Sequence, residues 1–303
     1  MVKNFYIILL IILKVGILKL VMEPMLFLLF LVSILIIGNY SCFIQIITND
    51  NSYFLSYPFQ EFSFCNYPFF VKIANNTFSL DDINIDINDS FHMLNIQGNI
   101  HFSNNTPIDS NFFAPNIMGP FSYFPSMECN HAILSMKSIV SGSIHFNNNL
   151  FNFNDGVAYI EKDWGTSFPK SYIWCQSNEF LAFPANFMLS IANIPLGNFS
   201  FTGIISAISF ENKEYKFTTY YGAKLKKYDV TNNSIFIEIQ QGNKTLSVSS
   251  LSENSNFLLA PSKGKMNKEI LESISSKINV QIKEKDKIIF SNSGFNSGLE
   301  IVI

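Results

Sequence analysis

The chain has 303 residues, a mass of 34.5 kDa, a net charge of -3 and a pI near 5.8, and all twenty of its basic residues are lysine. That length suffices for one large or two ordinary domains, and without a basic stripe nucleic-acid binding has no electrostatic support. Four scattered cysteines (Cys42, Cys65, Cys129, Cys175) have no metal-ligand spacing and are too few for a disulfide scaffold of this size, so they read as free thiols.

Residues 1–40 are apolar but interrupted by Lys3, Lys14, Lys19, Glu23 and Pro24. The uncharged run Met25 to Gly38 falls short of the roughly 18–20 residues a spanning helix needs. With its flanks it makes a membrane anchor over residues 21–42, which would render the chain membrane-associated. From Ser41 the pattern turns to β structure. Cys42 to Ile47 is an apolar run, followed by turn residues and Tyr53 to Leu55; Phe78 to Asp86, His92 to Phe102 and Ala132 to Phe146 read as further strands. Asn104 to Pro115 is a polar, proline-punctuated loop, and Gly119 to Glu128 is too irregular for a strand. Beyond residue 190, Phe199 to Phe210, Tyr215 to Tyr221 and the hairpin Ser234 to Ser250 around Gln241-Gly242-Asn243 continue the series. Ile270, Leu271, Ile274 and Ile278 follow helical spacing and predict one amphipathic helix over Asn267 to Ile278. Many short antiparallel strands with one helix predict an all-β, barrel-like protein. The phenylalanine and asparagine content reflects an A+T-rich coding bias and carries little functional weight.

The most informative stretch is Tyr159 to Asn178, which holds both tryptophans. In extended backbone Tyr159, Glu161 and Asp163 share one face, with Lys162 and Trp164 on the other. After the Gly165 to Pro169 turn, Tyr172, Trp174, Gln176 and Asn178 share a face that offers rings and hydrogen-bonding groups, with Ile173 and Cys175 opposite. Such a strand suits the wall of a ligand cavity. The same residue types also fit a structural ion pair between Lys162 and a neighbouring carboxylate amid core aromatics.

This stretch resembles the tocopherol cyclase family in its Tyr159 to Gly165 segment, Phe168-Pro169, Tyr172-Ile173-Trp174 and Gln176-Ser177-Asn178. Met118 to Tyr123 with Pro125, and Met127 to His131, resemble an upstream motif of that family. Leu259-Ala260-Pro261 and Ser297 to Glu300 resemble its carboxy-terminal motifs. The resemblance implies two lipocalin-like antiparallel β domains, residues 41–157 and 158–303, behind the apolar segment 1–40. It also implies a small lipophilic ligand and closure of a chromanol ring by acid-catalysed addition of a phenol hydroxyl to a prenyl alkene. No cofactor is expected, and since no two histidines fall at ligand spacing and Cys129 with His131 alone would be incomplete, no metal site is expected either. Such chemistry needs a carboxyl held protonated in an apolar cavity and rings beside a developing cation. The candidate acids are Asp163 and Glu161, with Glu128 or His131 as partner; Trp164, Tyr172, Trp174, Gln176, Asn178 and Tyr159 would bind ligand. Lys162 counsels caution, because an adjacent cation would keep a carboxyl ionised. A non-catalytic carrier or sensor of an isoprenoid or other lipid is the competing expectation, and an alkene hydratase a third.

The resemblance also gives residues 1–40 a second reading. Family members begin with a motif like Phe-Glu-Gly-Trp-Tyr-Phe-Lys and later carry Ile-Pro-Gly-Ile. Written in A/T-rich codons and read one base late, these yield the sequences of Leu13 to Leu18 and Phe30 to Ser33. On this reading residues of about 11–37 are family strands translated in a shifted frame, and the chain would be cytoplasmic.

Overall fold

A computed structural model describes residues 10–16, 28–35, 41–48, 50–124, 127–165, 167–196, 199–252, 255–262 and 265–303. Alternating side chains fold these segments into two antiparallel sheets. The first comprises β1 (Leu10–Gly16), β2 (Leu28–Leu35), β3 (Ser41–Ile47), β4 (Ser52–Pro58), β5 (Phe62–Asn66), β6 (Phe69–Ile73), β7 (Asn76–Ser79), β8 (Asp82–Asp89), β9 (Leu94–Ser103), β10 (Cys129–Phe146), β11 (Asn149–Asn152) and β12 (Gly156–Gly165). Its spatial order is β4-β3-β2-β1-β12-β10-β9-β8-β7-β6-β5, with β11 beside β10.

The second sheet comprises β13 (Tyr172–Ser177), β14 (Glu179–Phe180), β15 (Ala185–Leu196), β16 (Phe199–Phe210), β17 (Lys213–Thr218), β18 (Lys224–Val230), β19 (Ser234–Gln241), β20 (Lys244–Leu251), β21 (Ser255–Ser262), β22 (Lys265–Glu284) and β23 (Lys287–Val302). It runs β17-β16-β15-β13-β23-β22-β20-β19-β18, with β14 beside β23 and β21 beside β22. The chain changes sheets between Gly165 and Tyr172.

Three buried clusters organise these layers. Ile44, Ile73, Ile85, Ile100, Val140 and Ile160, from strands across the first sheet, meet in one core, so that sheet curls around it. Ile173, Leu189, Ile208, Ile237, Val280 and Leu299 do the same in the second. A third cluster, including Ile133, Tyr159, Tyr172, Trp174 and Ile274, forms the seam between the sheets. Period-two alternation decides membership. In β12, Ala158 and Ile160 enter the first core while Tyr159 faces the seam; in β13, Ile173 and Cys175 enter the second core while Tyr172 and Trp174 face the seam.

Two expectations are corrected. The helix predicted over Asn267 to Ile278 is the middle of β22, paired with β21, β20 and β23. A spacing of four residues satisfies both a helix and a strand, and burial here falls on every even position from Ile270 to Ile282, with Leu271 41% exposed. Nor is the 21–42 span a helix where it is described: Leu28–Leu35 is β2, and β3 begins at Ser41. No described helix is long and apolar enough to cross a membrane. Residues 21–27 and 36–40 lie outside the described residues. Of the segments that the shifted-frame reading invokes, Leu13 to Gly16 falls in β1 and Phe30 to Ser33 in β2, while residues 17–18 lie outside the described residues. β1 in turn pairs with β12, with Leu10 opposite Asp163 and Ile12 opposite Glu161.

Candidate active site

The seam opens into a cavity of about 110 Å³, several times the ~10–15 Å³ one water needs. Its walls are mainly apolar, including Met118, Phe121, Phe168, Trp174, Phe201 and Ile204. The Phe121 and Phe201 rings stack at 5.6 Å, and Phe168 meets Tyr172 edge-on at 5.8 Å. A 3-10 turn, Gly119–Tyr123, supplies Phe121 and closes one side. Gly119 adopts φ +60°, and a Cβ there would lie 2.6 Å from the Tyr220 ring, so only glycine lets this turn dock. The Tyr220 hydroxyl fastens the turn by donating to the Ile117 carbonyl at 3.0 Å.

Into this apolar surround project His131, Glu161, Asp163 and Glu300. Strand register brings the first three together. His131 of β10 stands opposite Asp163 of β12, and Ile133 opposite Glu161. His131 Nδ1 lies 2.6 Å from Asp163 Oδ1, while its Nε2 is 3.2 Å from Glu161 Oε2, an ion-pair distance without hydrogen-bond alignment. Tyr159 donates its hydroxyl to Glu161 Oε2 at 2.6 Å and Trp174 its indole N–H at 3.2 Å. Glu161 Oε2 is thus crowded with donors, whereas Oε1 is buried with no hydrogen bond. The chain returns tightly after Asp163: a Cβ on Gly165 would lie 2.2 Å from the Glu128 carbonyl oxygen.

Protonation follows from burial and charge. Glu161 is fully buried, and desolvation pushes its carboxyl up to about 8; the positive charge of His131 and the Tyr159 hydrogen bond hold it down, while Asp163 and Glu300 add to the rise. Burial alone would lower His131, but the charges of Glu161 and Asp163 and the Asp163 hydrogen bond outweigh it and raise the imidazole to about 9. At neutral pH the hydrogen bond and charge of Asp163 favour an imidazolium at His131, while burial beside Asp163 and Glu300 favours a proton on Glu161, whose own charge then no longer adds to the rise of His131. That proton belongs on Oε1, because Oε2 already accepts from Tyr159 and Trp174. A cation would find ligand atoms of His131, Glu161 and Asp163 within 4.8 Å of one another. Binding it through Nδ1 would break the His131–Asp163 bond that holds the cluster.

The other residues singled out in the sequence lie apart. Lys162 and Trp164 take the opposite face, with Nζ 4.9 Å from the Trp164 ring, so Lys162 does not face the carboxyl groups despite its place between them. Glu128 precedes β10 and does not line the cavity, although its carbonyl accepts from Ser167 N–H at 3.2 Å. Gln176 donates to Asn178 at 2.5 Å, and Asn178 to the Ala158 carbonyl at 3.3 Å, both beyond the cavity wall. Glu300, absent from the sequence-derived site, lies in β23 opposite Trp174 and accepts the Tyr172 hydroxyl at 2.6 Å. Its signals in the sequence were a carboxylate in the apolar run Leu299 to Ile303 and its place at the end of the Ser297 to Glu300 motif.

The family described as tocopherol cyclase-like matches residues 109–302. The chloroplastic tocopherol cyclase of Zea mays is 27% identical over 108 residues, and a protein of Oryza sativa subsp. japonica described as a probable chloroplastic tocopherol cyclase is 29% identical over 108. Each match covers 34% of this chain and 23% of the relative, so the chain matches about a quarter of their length. Among solved structures, CghA with Sch210972 superposes with a TM-score of 0.56 at 9% identity, covering 98% of this chain and 89% of that one. Kievitone hydratase from Nectria haematococca gives 0.55 at 10% identity, covering 96% and 88%. An AttH-type protein from Nitrosomonas europaea gives 0.56 at 10% identity, covering 100% and 95%. These likenesses establish the fold.

Proposed function

Because this chain belongs to the tocopherol cyclase-like family, we propose that it is a cyclase of that kind. It binds a prenylated, lipid-soluble hydroquinone-type ligand and closes a chromanol ring by adding the phenol oxygen across the prenyl alkene. The observation that carries this reading is Glu161: a carboxyl kept neutral by burial, one oxygen saturated by donors and the other unpaired, in a cavity with apolar walls. A carboxylic acid held protonated at neutral pH is what alkene protonation requires. Glu161 Oε1 gives its proton to the less substituted alkene carbon, forming a C–H bond and a tertiary cation. The rings of Trp174, Tyr172, Phe168 and Phe201 face that cation. The phenol oxygen then forms the C–O bond and sheds its proton. His131 and Asp163 position Glu161 and set its acidity.

A cluster of four buried ionisable groups is costly to desolvate, and more of them converge here than orienting one ligand hydroxyl needs, which favours chemistry over carriage. The test is incubation of the full chain with geranylhydroquinone in heavy water. A cyclised chroman with one deuterium on the ring carbon beside the new C–O-bearing centre supports the reading. A deuterated tertiary alcohol would mean that water is the nucleophile, as the name of the kievitone hydratase relative suggests. Tight binding with unchanged ligand would make the protein a carrier.

A further inference from the structure

Protonating the alkene is half of the addition, since the attacking hydroxyl must also lose its proton. Glu300 is placed for that task. It is 3% exposed, lines the same cavity as Glu161, and comes from the second sheet where Glu161 comes from the first. Its neighbours in register are Trp174 on one side and Glu272 on the other. Tyr172 donates its hydroxyl to Oε2 at 2.6 Å, which orients the carboxyl at the cavity wall.

Resting on the cyclase reading above, we propose that Glu300, positioned by Tyr172, is the general base: it binds the ligand's reacting hydroxyl and removes its proton as the C–O bond forms. The O–H bond breaks to Glu300 while the oxygen lone pair closes on the cation. The cycle ends with Glu161 ionised and Glu300 protonated, and water entering the vacated cavity returns the proton. Burial raises Glu300, but the Tyr172 hydrogen bond draws it down and favours the ionised form that a base needs. Tyr172 itself stays a phenol, since burial and the charge of Glu300 raise it well above its ordinary value.

The base is tested apart from the acid. In the Glu161→Gln background, which removes turnover on the cyclase reading, calorimetry compares geranylhydroquinone with its dimethyl ether. The hydroxyl compound should bind about tenfold more tightly, as a hydrogen bond to a charged group allows. The preference should vanish in Glu161→Gln/Glu300→Gln. The single variant Glu300→Gln in heavy water should return uncyclised alkene carrying deuterium. Tyr172→Phe, which keeps the carboxyl but loses its tether, should shrink the preference severalfold and supplies the readout if the double variant misfolds. The proposal is overturned if the preference survives loss of Glu300, if neither probe binds, or if Glu300→Gln cyclises within about twofold of the unsubstituted chain. Full turnover by Glu161→Gln would instead sink the assignment of the acid.

Discussion

The two faces of β12 use the same backbone for opposite ends. On one, Ala158 and Ile160 join an apolar core in which close packing supplies stability. On the other, Tyr159, Glu161 and Asp163 face the seam, where buried ionisable groups cost stability and supply chemistry. β13 repeats the division, with Ile173 and Cys175 against Tyr172 and Trp174. Alternation thus lets a strand serve packing and catalysis without either set of side chains intruding on the other.

That division is open to direct attack, and the largest effect should come from the polar face. Glu161→Gln should lower turnover by about 10²–10⁴-fold, the range a general acid supplies, while leaving the melting temperature level or higher. Asp163→Asn, which weakens the partner of His131, should cost less turnover. Ile160→Ala, one residue away, should do the reverse: a loss of about 2–5 kcal/mol of stability in a denaturant titration, with the heavy-water product unchanged in kind.

A pH series separates the faces more finely. Glu161 and Glu300 bind protons more tightly folded than unfolded, and so does His131. Their stabilisation is therefore complete below the unfolded carboxyl range and is lost as pH rises from about 5 to 9. Melting temperature should fall across that window, and Glu161→Gln and Glu300→Gln should each flatten the slope. The smallest effect is expected from Lys162→Met, less than about twofold in turnover, because Lys162 lies over Trp164 on the far face. A larger loss would show that the two faces communicate.

Much of this was legible in the chain. The alternation in Tyr159 to Asp163 and in Tyr172 to Gln176 predicts which residues face together, and His131, Glu161 and Asp163 were candidates through the chemistry that the family resemblance implies. What local pattern does not carry is register. Nothing near Glu300 in sequence says that it pairs with Trp174, 126 residues away, or that Tyr172 will hold its carboxyl. Register also places Glu128: β10 begins at Cys129 with Gly165 opposite, and Glu128, just before it, is not among the cavity-lining residues. The helix expected over Asn267 to Ile278 failed because its apolar spacing fits two periods, and only pairing with β21 and β23 chooses between them.

Trp174, whose indole N–H touches Glu161, has a further consequence. The chain holds two tryptophans, and the other, Trp164, lies under an ammonium group on the opposite face. The protein therefore carries an optical indicator in its own interior. As Glu161 gains or loses its proton, the field at one fluorophore changes while the other remains a reference, so emission can follow the acid through a catalytic cycle without a label.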